Sequence, residues 1–393
     1  MLNTSFSAWP SFTQEEADAV SRVVLSNKVN YWTGQECREF EKEFAVWAGT
    51  QYAVALANGT LALDVALKAL NIGPGDEVIV TPRTFLASVS CVVTAGATPV
   101  FADVDLNTQN LSAETIAAAI TPNTKAVIVV HLAGMPADMD PIMALAQQHG
   151  FYVIEDCAQA HGAKYKGRSV GSIGHIGAWS FCQDKIMTTG GEGGMVTTND
   201  KDLWSFMWSY KDHGKSFDSV YHKEHAAGFR WVHDSFGTNW RMLEIQAVIG
   251  RIQLARMAGW TEIRNQHMAQ LNAAAADFPL LRQQQVPADV QHGGYKHYFF
   301  IQPEFFAPGW DRECLIREIN AAGVPCYHGS CSEVYLEKAF DNTSWRPDVR
   351  LPNARLLGDT SVMLLVHPTL TVQEMQKSCD VLRTVLASAS VKR

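Results

Sequence analysis

The sequence predicts an α/β protein in which a largely parallel sheet lies between helices and a smaller α+β domain follows. Over the first half of the chain, short apolar segments alternate with helical stretches. After a long helical region the strands become sparse. A single core rarely serves 393 residues, so we expect two domains, at residues 1–250 and 251–393.

The first domain contains seven segments with the length and composition of buried strands. Most are apolar on both faces, as expected for strands covered by helices on both sides. Helical stretches between many of them imply right-handed crossovers and parallel neighbours. The predicted strands are residues 51–56, 76–82, 98–104, 125–132, 151–156, 177–182 and 193–198.

Capping signals and apolar spacing predict the helices. Thr13 with Glu16 three residues later is a capping-box pattern that starts an N-terminal helix. Leucines recur at helical spacing after residue 58, and residues 241–278 predict one long helix or two abutting helices. In the second domain we expect a strand within residues 295–304, a helix that starts at Asp311 and stops near Gly323, and a last helix over 372–387.

Composition excludes several classes of protein. The net charge of −8 argues against nucleic acid as the main partner, and no apolar run is long enough to span a bilayer. The N-terminal stretch lacks the basic start and apolar core of a signal peptide. The eight cysteines are scattered, and the nearest pair, Cys326 and Cys331, lacks partners at zinc spacing. Reduced thiols in a cytoplasmic protein are therefore expected.

Chemically useful side chains follow several predicted strands, at the edge of the sheet where such folds bind ligands. Gly59 and Thr60 open a helix after the first strand, which makes a phosphate site. Phe85 follows the second strand and could stack on a planar ring, although a core position is the ordinary interpretation. Asp156 ends a buried strand, where an unpaired carboxylate is costly, with Gln159 close behind.

Ser180 and Lys185 come after the strand at 177–182, before the glycine-rich loop 190–194. A lone lysine before a loop is ordinarily a surface residue. Here an anion cradle, a flat surface, a carboxylate and an amine all follow strands of one sheet. Pyridoxal 5′-phosphate (PLP) needs these groups: lysine links to the cofactor covalently, and a carboxylate keeps the pyridine nitrogen protonated.

Seven motifs, in order and at matching spacing, extend the pattern over essentially the whole chain: residues 57–63 (ANGTLAL), 81–88 (TPRTFLAS), 100–105 (VFADVD), 131–140 (HLAGMPADMD), 154–163 (IEDCAQAHGA), 180–194 (SFCQDKIMTTGGEGG) and 239–250 (NWRMLEIQAVIG). They resemble the DegT/StrS family of PLP-dependent sugar-nucleotide aminotransferases, which has the aspartate aminotransferase fold (PLP fold type I). The resemblance implies transfer of an amino group from glutamate or glutamine to a keto sugar nucleotide.

The resemblance also implies roles around the cofactor ring. Lys185 would carry the cofactor and move the proton. Asp156 would pair with the pyridine nitrogen, Phe85 would stack on the ring, and Gln159 would approach its phenolic oxygen. A pKa of Lys185 lowered by its site would supply the neutral amine for this acid–base step.

Phosphate binding, by the same resemblance, involves Gly59, Thr60 and Ser180, together with Asn239 from the neighbouring subunit. The protein would then be a homodimer with shared active sites. The diphosphate of the substrate needs cations, and the residues proposed to contact the substrate are Trp32, His161, His213, Lys211, Lys215 and Arg230.

The loop at Glu192 resembles that of members that aminate C4 of the sugar, whereas members acting at C3 tend to carry Asp there. We therefore expect an NDP-4-keto-6-deoxy sugar as acceptor, in synthesis of an amino sugar for surface polysaccharide, such as lipopolysaccharide O-antigen, or for another glycosylated product. Two departures from the family leave the role of Glu192 and the nucleotide open: Gly190-Gly191 replaces one glycine, and residues 324–335 have an altered form. Asp184 is interpreted as a surface residue, because neighbours on an extended chain face opposite ways.

The sequence leaves several alternatives open. A C3-acting aminotransferase is the nearest, and the sugar and the stereochemistry are open. Other fold type I enzymes, such as cysteine desulfurases, lack the motifs above. A non-catalytic regulatory relative is disfavoured by the retention of Lys185, Asp156 and Gln159 together. A nicotinamide enzyme would carry G-x-G-x-x-G after the first strand. His131, His161 and His213 lack ligand spacing, so no metal is expected.

Overall fold

The computed structural model describes residues 5–391. Residues 1–4, part of the stretch considered as a signal peptide, lie outside it. The helices are α1 Gln14–Leu25, α2 Glu36–Ala48, α3 Gly59–Ala69, α4 Ala87–Thr94, α5 Ala113–Ala117, α6 Met139–His149, α7 Lys201–Tyr210, α8 Phe217–Tyr221, α9 Glu244–Ala275, α10 Arg312–Ala321, α11 Pro352–Thr360 and α12 Val372–Ala389.

The strands form three sheets. They are β1 Tyr52–Leu56, β2 Glu77–Val80, β3 Thr98–Phe101, β4 Thr124–Val130, β5 Tyr152–Asp156, β6 Lys164–Tyr165, β7 Arg168–Ser169, β8 Ile176–Ser180, β9 Gly194–Thr198, β10 Leu281–Gln283, β11 Val290–Gln291, β12 His297–Ile301, β13 Cys326–Tyr327 and β14 Ser361–Leu364.

The main sheet has seven strands in the order β1-β9-β8-β5-β4-β2-β3, and each predicted strand forms one of them. The pairs from β8 to β3 are parallel, whereas β9 runs antiparallel to both of its neighbours, β1 and β8. The predicted seven-stranded, mostly parallel sheet is therefore confirmed. The carboxyl ends of β2, β4, β5 and β8 lie at one edge, where the loops after them meet.

Capping at both ends of the chain follows the sequence signals. Glu16 accepts a hydrogen bond from the backbone N–H of Thr13 at 2.6 Å, which closes the predicted capping box of α1. Asp311 accepts from the N–H of Cys314 at 2.8 Å and starts α10. The last helix, α12, extends two residues beyond the predicted end, because Leu386 and Ala389 pack into the second core.

Helix α9 is one continuous helix of 32 residues, and it contributes to both cores. Leu254 and Met257 pack into the core of the large sheet, whereas Met268 and Leu271 pack with β12 and β14 of the second sheet, whose order is β10-β12-β14-β13. The boundary at residue 250 lies inside this helix, so the division into two domains at that point remains a proposal. Within residues 5–391, no helix is both long and apolar enough to cross a membrane.

Candidate active site

A cavity of about 1190 Å³ opens at the carboxyl ends of the parallel strands, between the large sheet and the sheet formed by β10, β12, β14 and β13. The cavity gathers residues that are far apart in sequence and were predicted to bind one cofactor. Those that line it are Gly59, Thr60, Phe85, Asp156, Gln159, Ser180 and Lys185.

Lys185 lies in the turn after β8, and its N–H donates to the carbonyl oxygen of Cys182 at 3.0 Å. Its side chain is 16% exposed, and its Nζ lies 5.3 Å from the centroid of the Tyr295 ring. Its backbone oxygen accepts from the indole N–H of Trp9 at 2.8 Å. The lysine is therefore half-buried and held by its backbone, with the ammonium group facing the cavity.

Asp156 ends β5 and is buried at the cavity wall. Its Oδ2 accepts from the hydroxyl of Ser88 at 2.8 Å, and its Oδ1 accepts from the N–H of Ala158 at 3.1 Å. Thr84 shares a hydrogen bond of 2.8 Å with Ser88. These bonds orient the carboxylate, which is what a charge partner for a ring nitrogen requires.

Gln159 and Phe85, the two other residues predicted to contact the cofactor ring, also line the cavity. The Oε1 of Gln159 accepts from the N–H of Ala133 at 2.8 Å, and no hydrogen bond within the described chain engages its Nε2, which is free to donate to a ligand. Phe85 is 69% exposed at the cavity, so the ordinary interpretation as a core residue does not hold. An exposed ring at a cavity wall can stack on a planar ligand.

The start of α3 has the features of an anion-binding site, as predicted for the phosphate. Asn58 caps the helix by accepting from the N–H of Leu61 at 3.0 Å, and the first-turn N–H groups of Gly59 and Thr60 have no acceptor within the helix. A Cβ added to Gly59 would lie 2.5 Å from the Cβ of Ser180, so only glycine allows this approach. The helix dipole favours an anion there. These residues fit the phosphate and the ring of PLP.

The backbone conformation of the loop after Lys185 accounts for its extra glycine. Gly190 and Gly191 both have positive φ, 87° and 118°, a conformation that side chains rarely adopt. The turn brings Glu192 to the cavity, and the carbonyl oxygen of Glu192 accepts from the Nε2 of Gln246 at 2.9 Å. The backbone of Glu192 is thus fixed, while its carboxylate remains exposed.

Asp184 lines the cavity and accepts a hydrogen bond from the hydroxyl of Tyr295. Its carboxylate is exposed, as predicted, but it faces the site instead of the outer surface. The argument from alternating side chains fails because β8 ends at Ser180, so residues 182–185 form a turn.

Glu155, which the sequence patterns did not single out, holds the wall behind Asp156. It is fully buried and accepts from the backbone N–H groups of Gly171, Ile173 and Gly174 at 2.6–2.8 Å. Burial alone would raise the pKa of Glu155, but the hydrogen bonds from His131 and from those N–H groups hold the pKa below its usual value. The sequence signal that could have identified Glu155 is a charged residue inside an otherwise apolar strand.

The donor atoms of His131, Glu155 and Cys157 lie within 4.8 Å of one another. The Nε2 of His131 is 3.0 Å from the Oε2 of Glu155, and its Nδ1 accepts from the N–H of Ala137 at 3.0 Å. Because both ring nitrogens and the carboxylate are already hydrogen-bonded, this cluster is a structural network beneath the site.

His161 does not reach the cavity. It is fully buried against Trp179 and Phe181, with ring centroids 5.2 and 5.6 Å away, and neither ring nitrogen has a partner. Burial, with smaller contributions from Lys185 and Arg264, lowers the pKa of His161 to about 3. The expected substrate contact from this residue is therefore corrected: it lies behind the wall as a neutral ring.

The expectation that Lys211 binds the diphosphate is also corrected. It is fully buried, pairs with Glu41 at 2.6 Å, and lies 3.9 Å from the centroid of the Tyr31 ring. Freeing this ammonium group would leave Glu41 buried without its counter-ion.

Three other predicted residues lie together outside this chain's cavity. The Nζ of Lys215 is 3.8 Å from the centroid of the Trp32 ring and 3.1 Å from a carboxylate oxygen of Asp212. Asp212 pairs with Asn239 in a β-bridge. Thus Trp32, Lys215 and Asn239 form one surface patch, away from Lys185 of the same chain.

His213 and Arg230 lie on the exposed segments around this patch. His213 has a φ of 59°, and its N–H donates to the carbonyl oxygen of Thr238 at 2.9 Å. Arg230 lies between Phe229 and Trp231, which are 74% and 83% exposed, and Phe236 is fully exposed. Neither His213 nor Arg230 lines the cavity of its own chain.

Comparison with known proteins places this geometry in a family. Residues 10–383 match the DegT/DnrJ/EryC1/StrS aminotransferase family. The chain is 48% identical over 305 residues to GDP-perosamine synthase of Caulobacter vibrioides, covering 74% of this chain and 76% of that protein. It is 37% identical to UDP-N-acetyl-3-dehydro-α-D-glucosamine 3-aminotransferase of Acidithiobacillus ferrooxidans, covering 92% of each.

A solved structure, that of an aminotransferase from Psychrobacter cryohalolentis, is 63% identical, with a TM-score of 0.96 and coverage of 97% of this chain and 99% of that one. The family match and the structural match both cover nearly the whole chain. The chain therefore belongs to the DegT/DnrJ/EryC1/StrS aminotransferase family.

Proposed function

We propose that this protein is a PLP-dependent aminotransferase that moves an amino group from glutamate to a keto sugar nucleotide. The observation that carries the proposal is the meeting of Lys185, Asp156 and Phe85 with the start of α3 at one cavity. The family match and the relatives named for aminated sugars support the same reaction.

PLP bound there would supply an electron sink that lets an amino group be exchanged between two carbon skeletons. The first turn of α3 and Ser180 would hold the phosphate. Asp156, oriented by Ser88, would keep a positive charge on the ring nitrogen. Lys185 would carry the cofactor between reactions and move protons at the reacting carbon, since its ammonium group faces the cavity.

For the acceptor, we propose C4 of an NDP-4-keto-6-deoxy sugar, on the resemblance of the Glu192-Gly193-Gly194 loop to C4-acting members. The second candidate is C3, because the relative from Acidithiobacillus ferrooxidans is named as a 3-aminotransferase. The product would be an amino sugar for surface polysaccharide or another glycosylated compound, made in the cytoplasm.

We further propose that the active enzyme is a homodimer with shared sites. Asn239 lies in a patch with Lys215 and Trp32, outside its own cavity, and the adjoining segment exposes Phe229, Trp231 and Phe236. Exposed aromatic clusters of this kind are typical of interaction surfaces. In a dimer, Asn239 of one copy would reach the phosphate of the other, with Lys215 and Arg230 near the diphosphate.

The decisive experiment offers glutamate with a panel of 4-keto and 3-keto nucleotide sugars and detects aminated products by mass spectrometry. The C4 proposal expects faster amination of 4-keto sugars. Faster amination of 3-keto sugars would select the C3 alternative, and no amination of either class would contradict the proposed function.

A further inference from the structure

Two cations, Lys296 at the wall of the cavity and the buried Arg264 behind it, have no counter-ion within residues 5–391. Lys296 lines the cavity and forms no ion pair or hydrogen bond within residues 5–391. Arg264 is 1% exposed and donates one hydrogen bond, from its Nη1 to the carbonyl oxygen of Gly294 at 3.0 Å. Its Nε and Nη2 have no partner. Buried charges are ordinarily paired, so the wall lacks an anion.

The position of Lys296 is tied to that of Lys185 through one aromatic ring. The Nζ of Lys296 lies 4.8 Å from the centroid of the Tyr295 ring, and the Nζ of Lys185 lies 5.3 Å from the same centroid. Both ammonium groups therefore lie against one ring, which is itself part of the cavity wall. Arg264 lies behind them, 4.9 Å from the Trp9 ring that closes this part of the cavity.

The electrostatics of the wall agree with this geometry. Burial lowers the pKa of Lys296; Asp184 opposes that shift, and Arg264 and Lys185 add to it. His367 adds no further positive charge, because burial, Arg264 and Lys296 lower its pKa to about 3 and keep it neutral. Asp184 already accepts from Tyr295, so one carboxylate faces the three cations Lys185, Lys296 and Arg264.

The chemistry of the two substrates indicates which anion binds near Lys296. The phosphate of the cofactor is proposed to bind at the start of α3, at Gly59, so the cations at this wall remain without an anion. An amino-acid donor carries its amine and its α-carboxylate on the same carbon, so the carboxylate must lie close to the nitrogen of Lys185 during transfer. In a nucleotide sugar, C1 with its diphosphate and C4 are on opposite sides of the ring, which places the diphosphate farther out.

We propose that Lys296 binds the α-carboxylate of the amino-acid donor, with the buried charge of Arg264 strengthening the site from behind. The inference rests on the proposed aminotransferase function and adds the residue that recognises the donor. A charge-assisted contact at a half-buried site explains why the wall carries cations that the chain itself does not neutralise.

The test compares the holoenzyme with Lys296→Met, which removes the charge, and Lys296→Arg, which keeps it. Lys42→Met is the matched control, since Lys42 is an exposed cation of α2, outside this cavity. Michaelis constants are measured for glutamate, alanine and the sugar nucleotide. The donor half-reaction is followed alone through the cofactor absorbance, and glutarate, which lacks the amine, is used as a competitive inhibitor to report binding without chemistry.

We expect Lys296→Met to raise the Michaelis constants for glutamate and alanine and the inhibition constant for glutarate about 10- to 100-fold. The constant for the sugar nucleotide should change little, and Lys296→Arg should retain most of the donor affinity. If Lys296→Met instead raises the Michaelis constant for the sugar nucleotide, Lys296 binds the diphosphate and the proposal is overturned.

The remaining outcomes are also decisive. If Lys296→Met and Lys296→Gln both fail to load the cofactor, the proposal is contradicted, because it requires a cofactor site that is intact without Lys296. If the wild-type holoenzyme does not react with glutamate or alanine, the proposed function fails and this inference with it. If the wild type reacts and Lys296→Met matches it, only this inference fails.

Discussion

Trp9 donates its indole N–H to the backbone carbonyl oxygen of Lys185 at 2.8 Å, across 176 residues of sequence. The same N-terminal segment is held from the other side, where the hydroxyl of Thr369 donates to the carbonyl oxygen of Ala8 at 2.9 Å. The segment therefore forms part of the cavity wall and fixes the turn that carries the lysine.

Replacing Trp9 with Phe should loosen that turn. Phe keeps an aromatic ring against Trp260 but cannot donate to Lys185, and a hydrogen bond of this kind contributes about 1 kcal/mol. We expect the dissociation constant of the cofactor to rise about fivefold, measured by absorbance titration. Trp204→Phe, at a tryptophan that stacks on Tyr52 outside this cavity, is the control. Equal cofactor affinity in the two variants would show that the Trp9 hydrogen bond does not position the site.

Removing the amine of Lys185 should abolish the reaction. The purified wild-type protein is expected to be yellow from cofactor linked to Lys185, and Lys185→Ala should lose that absorbance. Its transamination rate should fall at least about 100-fold, because a positioned proton carrier is lost. Full activity in Lys185→Ala, measured with glutamate and a keto sugar nucleotide, would contradict the assignment.

Asp156→Asn should slow the proton transfer step while leaving phosphate binding intact. The neutral amide cannot hold a positive charge on the ring nitrogen, so we expect kcat to fall about 100-fold with little change in cofactor occupancy. Ser88→Ala, which removes one hydrogen bond to Asp156, should give a smaller loss in the same direction. Wild-type turnover by the Asn variant would show that the pairing does not exist or is not needed.

The shared-site proposal predicts complementation between inactive subunits. Lys185→Ala and Asn239→Ala are mixed under conditions that exchange subunits, and activity should return in hybrid dimers. One site of each hybrid carries both lesions and the other carries neither. The test requires that Asn239→Ala alone lose most of its activity. No recovery after verified exchange would indicate that Asn239 serves its own chain or no site.

Glu155→Gln should destabilise the fold through the loss of a buried, hydrogen-bonded charge, by about 2–3 kcal/mol at pH 7. The pKa of Glu155 is held below its usual value, so its ionised form stabilises the protein above the pKa of the unfolded chain. That contribution is lost as pH falls through the folded-state pKa. The difference in melting temperature between wild type and variant should thus shrink toward acid pH.

Glu39→Gln is the control for that measurement, because Glu39 is an exposed carboxylate paired with Lys42. Its melting temperature should stay within a degree or two of the wild type at any pH, since exposed ion pairs contribute little. If Glu155→Gln melts as late as Glu39→Gln at pH 7, Glu155 does not anchor the wall behind Asp156.

Local sequence patterns determine the helices and strands of this chain. They also determine which side chains lie at the carboxyl edge of the main sheet. All seven strands of the main sheet are apolar segments that the sequence already marks. Because parallel strands end at the same edge, residues as distant as Gly59, Asp156 and Lys185 were predicted to meet, and they line one cavity. The capping box at Thr13 likewise depends on residues three apart.

Only the tertiary structure decided which side chains from distant parts of the sequence contact one another. Lys296 meets Lys185 at the Tyr295 ring, Lys211 is neutralised by Glu41 from α2, and Asp184 faces the site because β8 ends early. Local propensity carries no information about such pairs. Each contact depends on how distant segments pack together, so the free energy of the whole fold, and not the sequence near either residue, sets the contact.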